Sequence, residues 1–369
     1  MRYYIIAGEA SGDLHASNLM AALKKADQQA DFRFFGGDKM QTQGGVLVKH
    51  YRDLAFMGFI EVLLNLGTIL KNLQLCKKDI SQYHPDVVIL VDYPGFNMRM
   101  AKYLHKAGIP VIYYISPQIW AWNQSRVHQI RKTVDKMLVI LPFEQAFYKQ
   151  HNVDVEFVGH PLLDALAANT SAMPDLLEHQ PTVALLPGSR KQEISLVLPL
   201  MLETARLMPG INFVVAGVGA IGDHFYQSII GNSPVKVRMD QTYQLLAAAQ
   251  AALVTSGTAT LETALIGTPE VVCYKGGALS YQIAKRVIRT QYISLVNLIM
   301  EKSVVKELIQ HELTPVNLKT ELESLLNDKE KRERMQHDFT LLRKKLGGEG
   351  ASDNAADIIV RFLRDKSKH

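Results

Sequence analysis

Cysteine is nearly absent: Cys76 and Cys273 are the two in a chain of 369 residues. They lie too far apart to form a metal-binding or redox motif, and their expected state is that of buried free thiols in a reducing cytosol. Long apolar runs are missing too. No stretch reaches the roughly 18 uninterrupted apolar residues of a spanning helix, so a soluble or peripheral protein is expected rather than an integral one. No secretory leader is read either, because the short apolar run after Met1 meets Gly8-Glu9 at once and looks like a strand. Charge of one sign is scarce. The 41 Lys and Arg against 36 Asp and Glu leave a formal +5, too little to predict nucleic-acid binding but favourable to anionic substrates or an anionic membrane surface. No Asp-x-Asp pair suggests a Mn²⁺ or Mg²⁺ site. What remains is ordinary: 47% apolar and 21% charged residues, with length for about two domains of ~100–200 residues each.

The chain opens with an apolar strand over 3–7, the turn Gly8-Glu-Ala-Ser-Gly-Asp13, and helical spacing in Leu14, Leu19 and Leu23. That order begins a doubly wound α/β domain. The turn has neither the spacing of a dinucleotide fingerprint nor the Gly-Lys-Ser/Thr of a P-loop. Ser11 and Asp13 cap the helix on one reading; on the other, Glu9, Ser11 and His15 line the carboxyl edge of the sheet, where ligands bind in such folds. Over 54–70 the apolar residues, Met57 and Phe59 among them, cover more than the single stripe of a helix that faces one core. Burial between layers explains this, and so does an apolar surface that meets lipid or acyl chains.

Continuous apolar strands follow over 87–91, 111–115, 136–140 and 155–158, as expected of a parallel sheet covered on both faces. Strand ends repeatedly carry polar or aromatic residues: Glu9, Asp92, Gln118, Trp120, Trp122, Glu144 and His160. Such convergence at carboxyl ends predicts a ligand cleft. Pro161, Pro174 and Pro181 punctuate an interdomain connection. A second α/β set then begins with a strand over 182–186 and the turn Pro187-Gly-Ser-Arg190. From 279 the chain reads as helical and basic, with Lys285, Arg286 and Arg289 on neighbouring positions, and from 301 onward as helical. Domains are expected over 1–164 and 165–349, with a last helix over 350–369 docking by its one apolar stripe, on the first domain.

The second half carries the groups that suit a phosphate. Leu253 to Glu262 reads as a buried strand, a small-residue turn and a helix, with the hydroxyls and amides of Ser256, Gly257 and Thr258 at the helix start. Glu262 lies about one turn further in, within reach of a sugar hydroxyl. Gly188, Ser189 and Arg190 open another helix, and the arginine offers a forked donor to a diphosphate. Helix N-termini plus an arginine can carry leaving-group charge without a metal.

Five motifs, Gly8-Glu-Ala-Ser-Gly-Asp13, Ser116-Pro-x-x-Trp-Ala-Trp122, Leu141-Pro-Phe-Glu144, Leu186-Pro-Gly-Ser-Arg190 and Ser256-Gly-Thr-Ala-Thr-Leu-Glu262, occur in this order and at these spacings. Together they resemble the lipid A disaccharide synthase family of inverting glycosyltransferases, and the resemblance covers essentially the whole chain. It implies the GT-B fold, two Rossmann-like doubly wound domains facing a cleft. It implies a reaction of UDP-2,3-diacylglucosamine with 2,3-diacylglucosamine 1-phosphate, giving the β-1,6-linked disaccharide 1-phosphate and UDP, with no cofactor or metal. By motif, Gly188, Ser189 and Arg190 hold the diphosphate, and Ser256, Gly257, Thr258 and Glu262 hold phosphate and ribose. Asn297 belongs to the UDP site through the family's Ser-Leu-Pro-Asn motif, although Val296 stands for the proline here. Glu9, Ser11 and Asp13 face the acceptor.

One departure matters. The family commonly shows Asp-x-Pro-Asp-Phe-Asn, whose second Asp is the usual candidate base, and this chain has Asp92-Tyr-Pro-Gly95-Phe-Asn97. An inverting transfer needs a base for the acceptor hydroxyl. Asp92 is the nearest surviving carboxylate, with Glu9 and Asp13 as rivals and a structural turn as its plainer role. Acylated substrates favour the lipid-facing reading of 54–70. Met57 and Phe59 then meet acyl chains or the inner leaflet, and Lys285, Arg286 and Arg289 approach lipid phosphates, on the cytoplasmic face of the inner membrane. Two rivals stand beside this reading: another UDP-sugar enzyme such as a UDP-N-acetylglucosamine epimerase, which would turn over the UDP-sugar without acceptor, and a non-catalytic lipid- or nucleotide-binding homologue.

Overall fold

The computed structural model describes residues 1–54, 66–167, 180–277 and 290–366, with Leu66 and Trp122 described by backbone alone. Strands β4 (Val87–Val91), β8 (Thr182–Leu186) and β11 (Ala251–Thr255) are buried at every residue. A strand covered on both faces has no polar side to show, which is why these segments read as unbroken apolar runs. Every strand pairing among the described residues is parallel.

The pairings build two sheets. The first contains β1 (Arg2–Ala7), β2 (Asp31–Gly36), β3 (Val46–His50), β4, β5 (Val111–Tyr114), β6 (Lys136–Val139) and β7 (Val155–Phe157), in the order β3-β2-β1-β4-β5-β6-β7. The second contains β8, β9 (Asn212–Gly217), β10 (Lys236–Met239), β11, β12 (Glu270–Tyr274) and β13 (Lys306–Ile309), in the order β10-β9-β8-β11-β12-β13. Each is a doubly wound order that reverses beside its first strand, between β1 and β4 and between β8 and β11. Connections diverge to opposite faces at such a point and leave a crevice at the carboxyl ends.

The chain divides into two compact units, residues 1–164 with 346–369, and residues 165–345. In the first unit the helix Ala351–Lys366 packs on the helix Ala10–Ala26, burying Ala355, Ile359 and Leu363 along one stripe. Its start is fixed by Asp164, whose carboxylate accepts from the N–H groups of Gly350 (2.7 Å) and Ser352 (3.1 Å). The core of this unit also holds Tyr4, whose hydroxyl donates to Asp79, itself paired with the Arg33 guanidinium at 2.6 Å. Burial pushes the Tyr4 hydroxyl's pKa upward, so it stays a neutral donor.

The sequence reading missed three strands. β2 and β3 precede the segment it took up after the first helix, and β13 lies inside the stretch from 301 that it took as helical. β3 and β13 are edge strands with partial exposure, and neither forms a wholly buried apolar run. The helices Pro315–Asn327 and Lys329–Lys345 follow β13. Both cysteines are buried and free.

Candidate functional site

In the first unit the switch point brings Ala7 opposite Val91. The turns after these paired ends carry Glu9 and Asp92. Past Val91 the backbone leaves the sheet through two consecutive left-handed residues, Asp92 (φ 45°) and Tyr93 (φ 46°, ψ 58°). Such conformations cost non-glycine residues about 1–3 kcal/mol each and gather at functional sites. Pro94, which opens the helix Pro94–Lys106, disfavours right-handed helical geometry at Tyr93. The side chain of Tyr93 anchors the other end: its hydroxyl donates to the Leu54 carbonyl at 2.8 Å. Its ring lies so close to Gly8 that a methyl group there would overlap it.

The Asp92 carbonyl turns inward and accepts two hydrogen bonds, from Tyr113 Oη at 2.7 Å and Asn97 Nδ2 at 2.8 Å. Its carboxyl is half-buried. Burial first, and the charge of Glu9 second, push it up to about 7, against a hydrogen bond from the Tyr93 N–H that favours the ionised form. A carboxyl in that range can take a proton at neutral pH. Asp13 is placed differently from its expected role facing the acceptor. It is buried, and its carboxylate accepts from the N–H groups of Gly37 (2.8 Å), Lys39 (3.1 Å) and Met40 (3.1 Å), fixing the start of the helix Asp38–Thr42. Ser11 is exposed in the first turn of the helix Ala10–Ala26.

Two of the sequence motifs interlock. Glu144 is buried and accepts from the Leu141 N–H (3.0 Å) at the start of its own helix and from Trp120 Nε1 (3.3 Å). Ser116 Oγ meets Tyr148 Oη at 2.7 Å. Burial pushes the Glu144 carboxyl up to about 7, with these donors opposing. The network holds the segment after β5 against the helix Pro142–Gln150.

In the second unit the switch point pairs Leu186 with Val254, so the turns carrying Gly188 to Arg190 and Ser256 to Thr258 leave neighbouring strand ends. Gly188 is left-handed (φ 117°), and a methyl group there would sit 2.8 Å from Glu193 Oε2. Ser189 and Arg190 are exposed, and Arg190 Nη1 reaches Glu193 Oε1 at 3.1 Å from the start of the helix Lys191–Arg206. Gly257 (φ 155°) precedes the helix Thr258–Ile266, and a methyl group there would meet nothing within 4 Å. Open space in front of a helix start suits an anion, because the first-turn amides point outward along the axis. Glu262 is half-buried one turn on and accepts from Tyr243 Oη at 2.7 Å. Burial raises its carboxyl, opposed by that hydrogen bond.

Asn297 is fully buried. Its Oδ1 accepts from the N–H groups of Val304 (2.8 Å) and Val305 (3.0 Å), and its Nδ2 donates to Glu307 Oε1 at 2.9 Å. Glu307 also accepts from the Ile293 and Ser294 N–H groups, and the Ile293 carbonyl accepts from Ser256 Oγ at 3.2 Å. Asn297 thus braces the segment that Ser256 leans on. Glu307 and Tyr243 escaped the sequence reading, as did the roles of Tyr113 and Asn97, because each acts by an individual hydrogen bond with no local signature. One signal was passed over. Gly217-Val-Gly-Ala-Ile-Gly222 has dinucleotide-fingerprint spacing. It follows β9 and not a switch strand, and the amides of Val218 and Gly219 are taken by Tyr226 Oη (3.0 Å) and Asp240 Oδ1 (2.8 Å).

Met57, Phe59, Lys285, Arg286 and Arg289 lie outside the described residues. Among the described residues no cluster of three or more His, Cys, Asp or Glu could hold a metal ion, and no helix is long and apolar enough to cross a membrane.

The family model for lipid-A-disaccharide synthetase matches residues 3–362. Lipid-A-disaccharide synthase of Syntrophus aciditrophicus is 43% identical over 372 residues, covering 98% of this chain and 97% of that one. Its counterpart in Trichlorobacter lovleyi is 40% identical over 373 residues, with 98% and 97% covered. Among solved structures, an S. aureus MnaA–UDP co-structure aligns with a TM-score of 0.70 at 12% identity, covering 98% of this chain and 97% of that one. The calicheamicin glycosyltransferase CalG4 aligns at 0.62 and 17% identity, with 98% of each covered. At such identities the structural likeness concerns the fold alone, a two-unit α/β architecture of the GT-B type.

Proposed function

The chain belongs to the lipid-A-disaccharide synthase family, and from that premise we propose how its residues divide the reaction. The enzyme is a glycosyltransferase of lipid A biosynthesis that joins UDP-2,3-diacylglucosamine to 2,3-diacylglucosamine 1-phosphate, releasing UDP. The sequence relatives do not favour an epimerase or a binding-only homologue. Epimerases share the fold at 12% identity, which says nothing of activity.

In the proposed mechanism the acceptor's 6-hydroxyl attacks the anomeric carbon of the donor in one inverting displacement. Asp92 takes the hydroxyl proton as the new C–O bond forms. The bond to the UDP oxygen breaks, and its electron pair leaves with the diphosphate. Arg190 and the amides at the two helix starts, with Gly188, Ser189, Ser256, Gly257 and Thr258, carry that negative charge, and Glu262 holds the ribose. No divalent ion has a role in this scheme, so a chelator leaves turnover unchanged. The observation that carries the assignment is the Asp92 carboxyl at the β1/β4 switch point, raised to about 7 beside Glu9.

Gly95, which stands where relatives of this family commonly have aspartate, is exposed at the helix start, and a methyl group there meets nothing within 4 Å. The site has room for that carboxylate and lacks it, which supports the reading of Asp92 as the base. Turnover of both substrates by Asp92→Asn is the test. A fall of about 100-fold or more in kcat is expected, and full activity would remove Asp92 from the mechanism.

We further propose that the enzyme works as a peripheral protein on the cytoplasmic face of the inner membrane. Leu70, 58% exposed on the helix Leu66–Tyr83, continues the apolar run of 54–70, and the +5 charge favours an anionic surface. Replacing Met57 and Phe59 with serine should weaken partitioning onto anionic liposomes; unchanged partitioning would sink this reading.

A further inference from the structure

The reaction needs the Asp92 carboxylate aimed at a hydroxyl, yet Asp92 stands on backbone that a non-glycine residue adopts reluctantly. Something must hold it there. Pro94 keeps Tyr93 from relaxing into the right-handed helical region, so the turn stays where it is only while the Asp92 carbonyl is satisfied in its inward orientation. That carbonyl has two lone pairs, and two side chains use them. Tyr113 Oη, from the penultimate residue of β5, donates at 2.7 Å, and Asn97 Nδ2, from the helix the turn leads into, donates at 2.8 Å.

Both donors are fixed. Tyr113 is fully buried in β5, which pairs with β4 next to the turn. Asn97 is also fully buried, and its Nδ2 lies 3.2 Å from the Val91 carbonyl and 3.4 Å from that of Ile6. One amide group thus ties β1, β4 and the turn together at the switch point. Each donor holds one lone pair of that carbonyl, and losing either leaves the strained turn held by the other alone, so the loss of one donor loosens the turn.

We infer that Tyr113 and Asn97 are positioning residues for Asp92, holding its strained backbone so that the carboxylate stays half-buried beside Glu9 and aimed at the acceptor. The inference rests on the reading of Asp92 as the base. The charged and titratable groups around this point are Glu9 after β1, Tyr93 in the turn, and Tyr148 and Arg126 near the Tyr113 hydroxyl. Removing the Tyr113 hydroxyl changes none of those charges. It acts on the carboxylate through the backbone.

The test is steady-state kinetics against pH for the full-length enzyme and for Tyr113→Phe, Asn97→Ser and Asp92→Asn. Tyr113→Phe keeps the buried ring, and Asn97→Ser, whose hydroxyl sits on a shorter side chain, removes the Nδ2 donor if the phenylalanine variant fails to fold. The expected result is a kcat lower by about tenfold or more with KM unchanged. The acid limb of the profile should move to lower pH as the carboxylate regains water. A variant that only melts at lower temperature, with kcat and acid limb unmoved, would overturn the positioning role while leaving the base assignment standing. An active Asp92→Asn would overturn the base assignment and the inference with it.

Discussion

The two switch points share one topology and solve opposite problems. At β1/β4 the turn carries non-glycine residues in left-handed backbone, pinned by buried tyrosine and asparagine side chains. At β8/β11 it carries Gly188 and Gly257, with exposed Ser189 and Arg190 and open space ahead of a helix. A carboxylate must be aimed, so its backbone is strained and braced. A diphosphate, the proposed ligand of the second switch point, is best approached by backbone, which glycines, hydroxyls and amides at the turn allow. On the proposed division of the reaction, the first unit holds the acid–base group and the second the anion site, on equivalent scaffolds.

Removing the charge at the second switch point should have the largest effect of those that test this contrast. Arg190→Ala should lower kcat/KM by about 100-fold and leave the acid limb of the pH profile where it is. A shifted limb would mean that the two switch points are not chemically separate. Gly188→Ala should act more mildly, on the UDP-sugar alone. Its φ of 117° and the 2.8 Å approach to Glu193 displace the turn, raising donor KM by about tenfold. An unchanged donor KM would show that this turn does not hold the diphosphate.

A smaller effect separates a working buried carboxyl from an idle one. Glu270 is fully buried, and neither of its oxygens finds a partner among the described residues; burial alone pushes its pKa well above the usual range. Below the unfolded value of about 4.3 both states hold the proton. As pH rises past that value the unfolded chain ionises while the folded one must keep its proton, so stability falls. Glu270→Gln should therefore melt higher than wild type by on the order of 2–4 °C at pH 8, with the gap closing near pH 4. A gap that does not depend on pH would show that Glu270 is not a buried acid.

Much of this was legible in the sequence for physical reasons. The central strands read as buried because a sheet covered on both faces leaves no polar positions, and the turns at both switch points announced themselves through glycine, hydroxyl and carboxylate residues. Edge strands were hidden: Val46–His50 and Lys306–Ile309 mix polar and apolar residues because one edge faces water. The site was legible at the level of turns and not of bonds. Asp13 and Asn297 lie in recognisable motifs, and the side-chain oxygens of each accept from backbone amides, which spacing does not reveal. Tyr113 sits in an apolar strand and reads as core, which it is, yet its hydroxyl holds the turn that carries Asp92.

In the proposed mechanism Asp92 is the base and Glu9 only tunes it. The kcat/KM profile of Glu9→Gln tests this most directly. An active enzyme is expected, whose acid limb, near pH 7 in wild type, moves to lower pH because the neighbouring negative charge is gone. Loss of activity in Glu9→Gln as deep as that in Asp92→Asn, or an acid limb that stays in place, would contradict it.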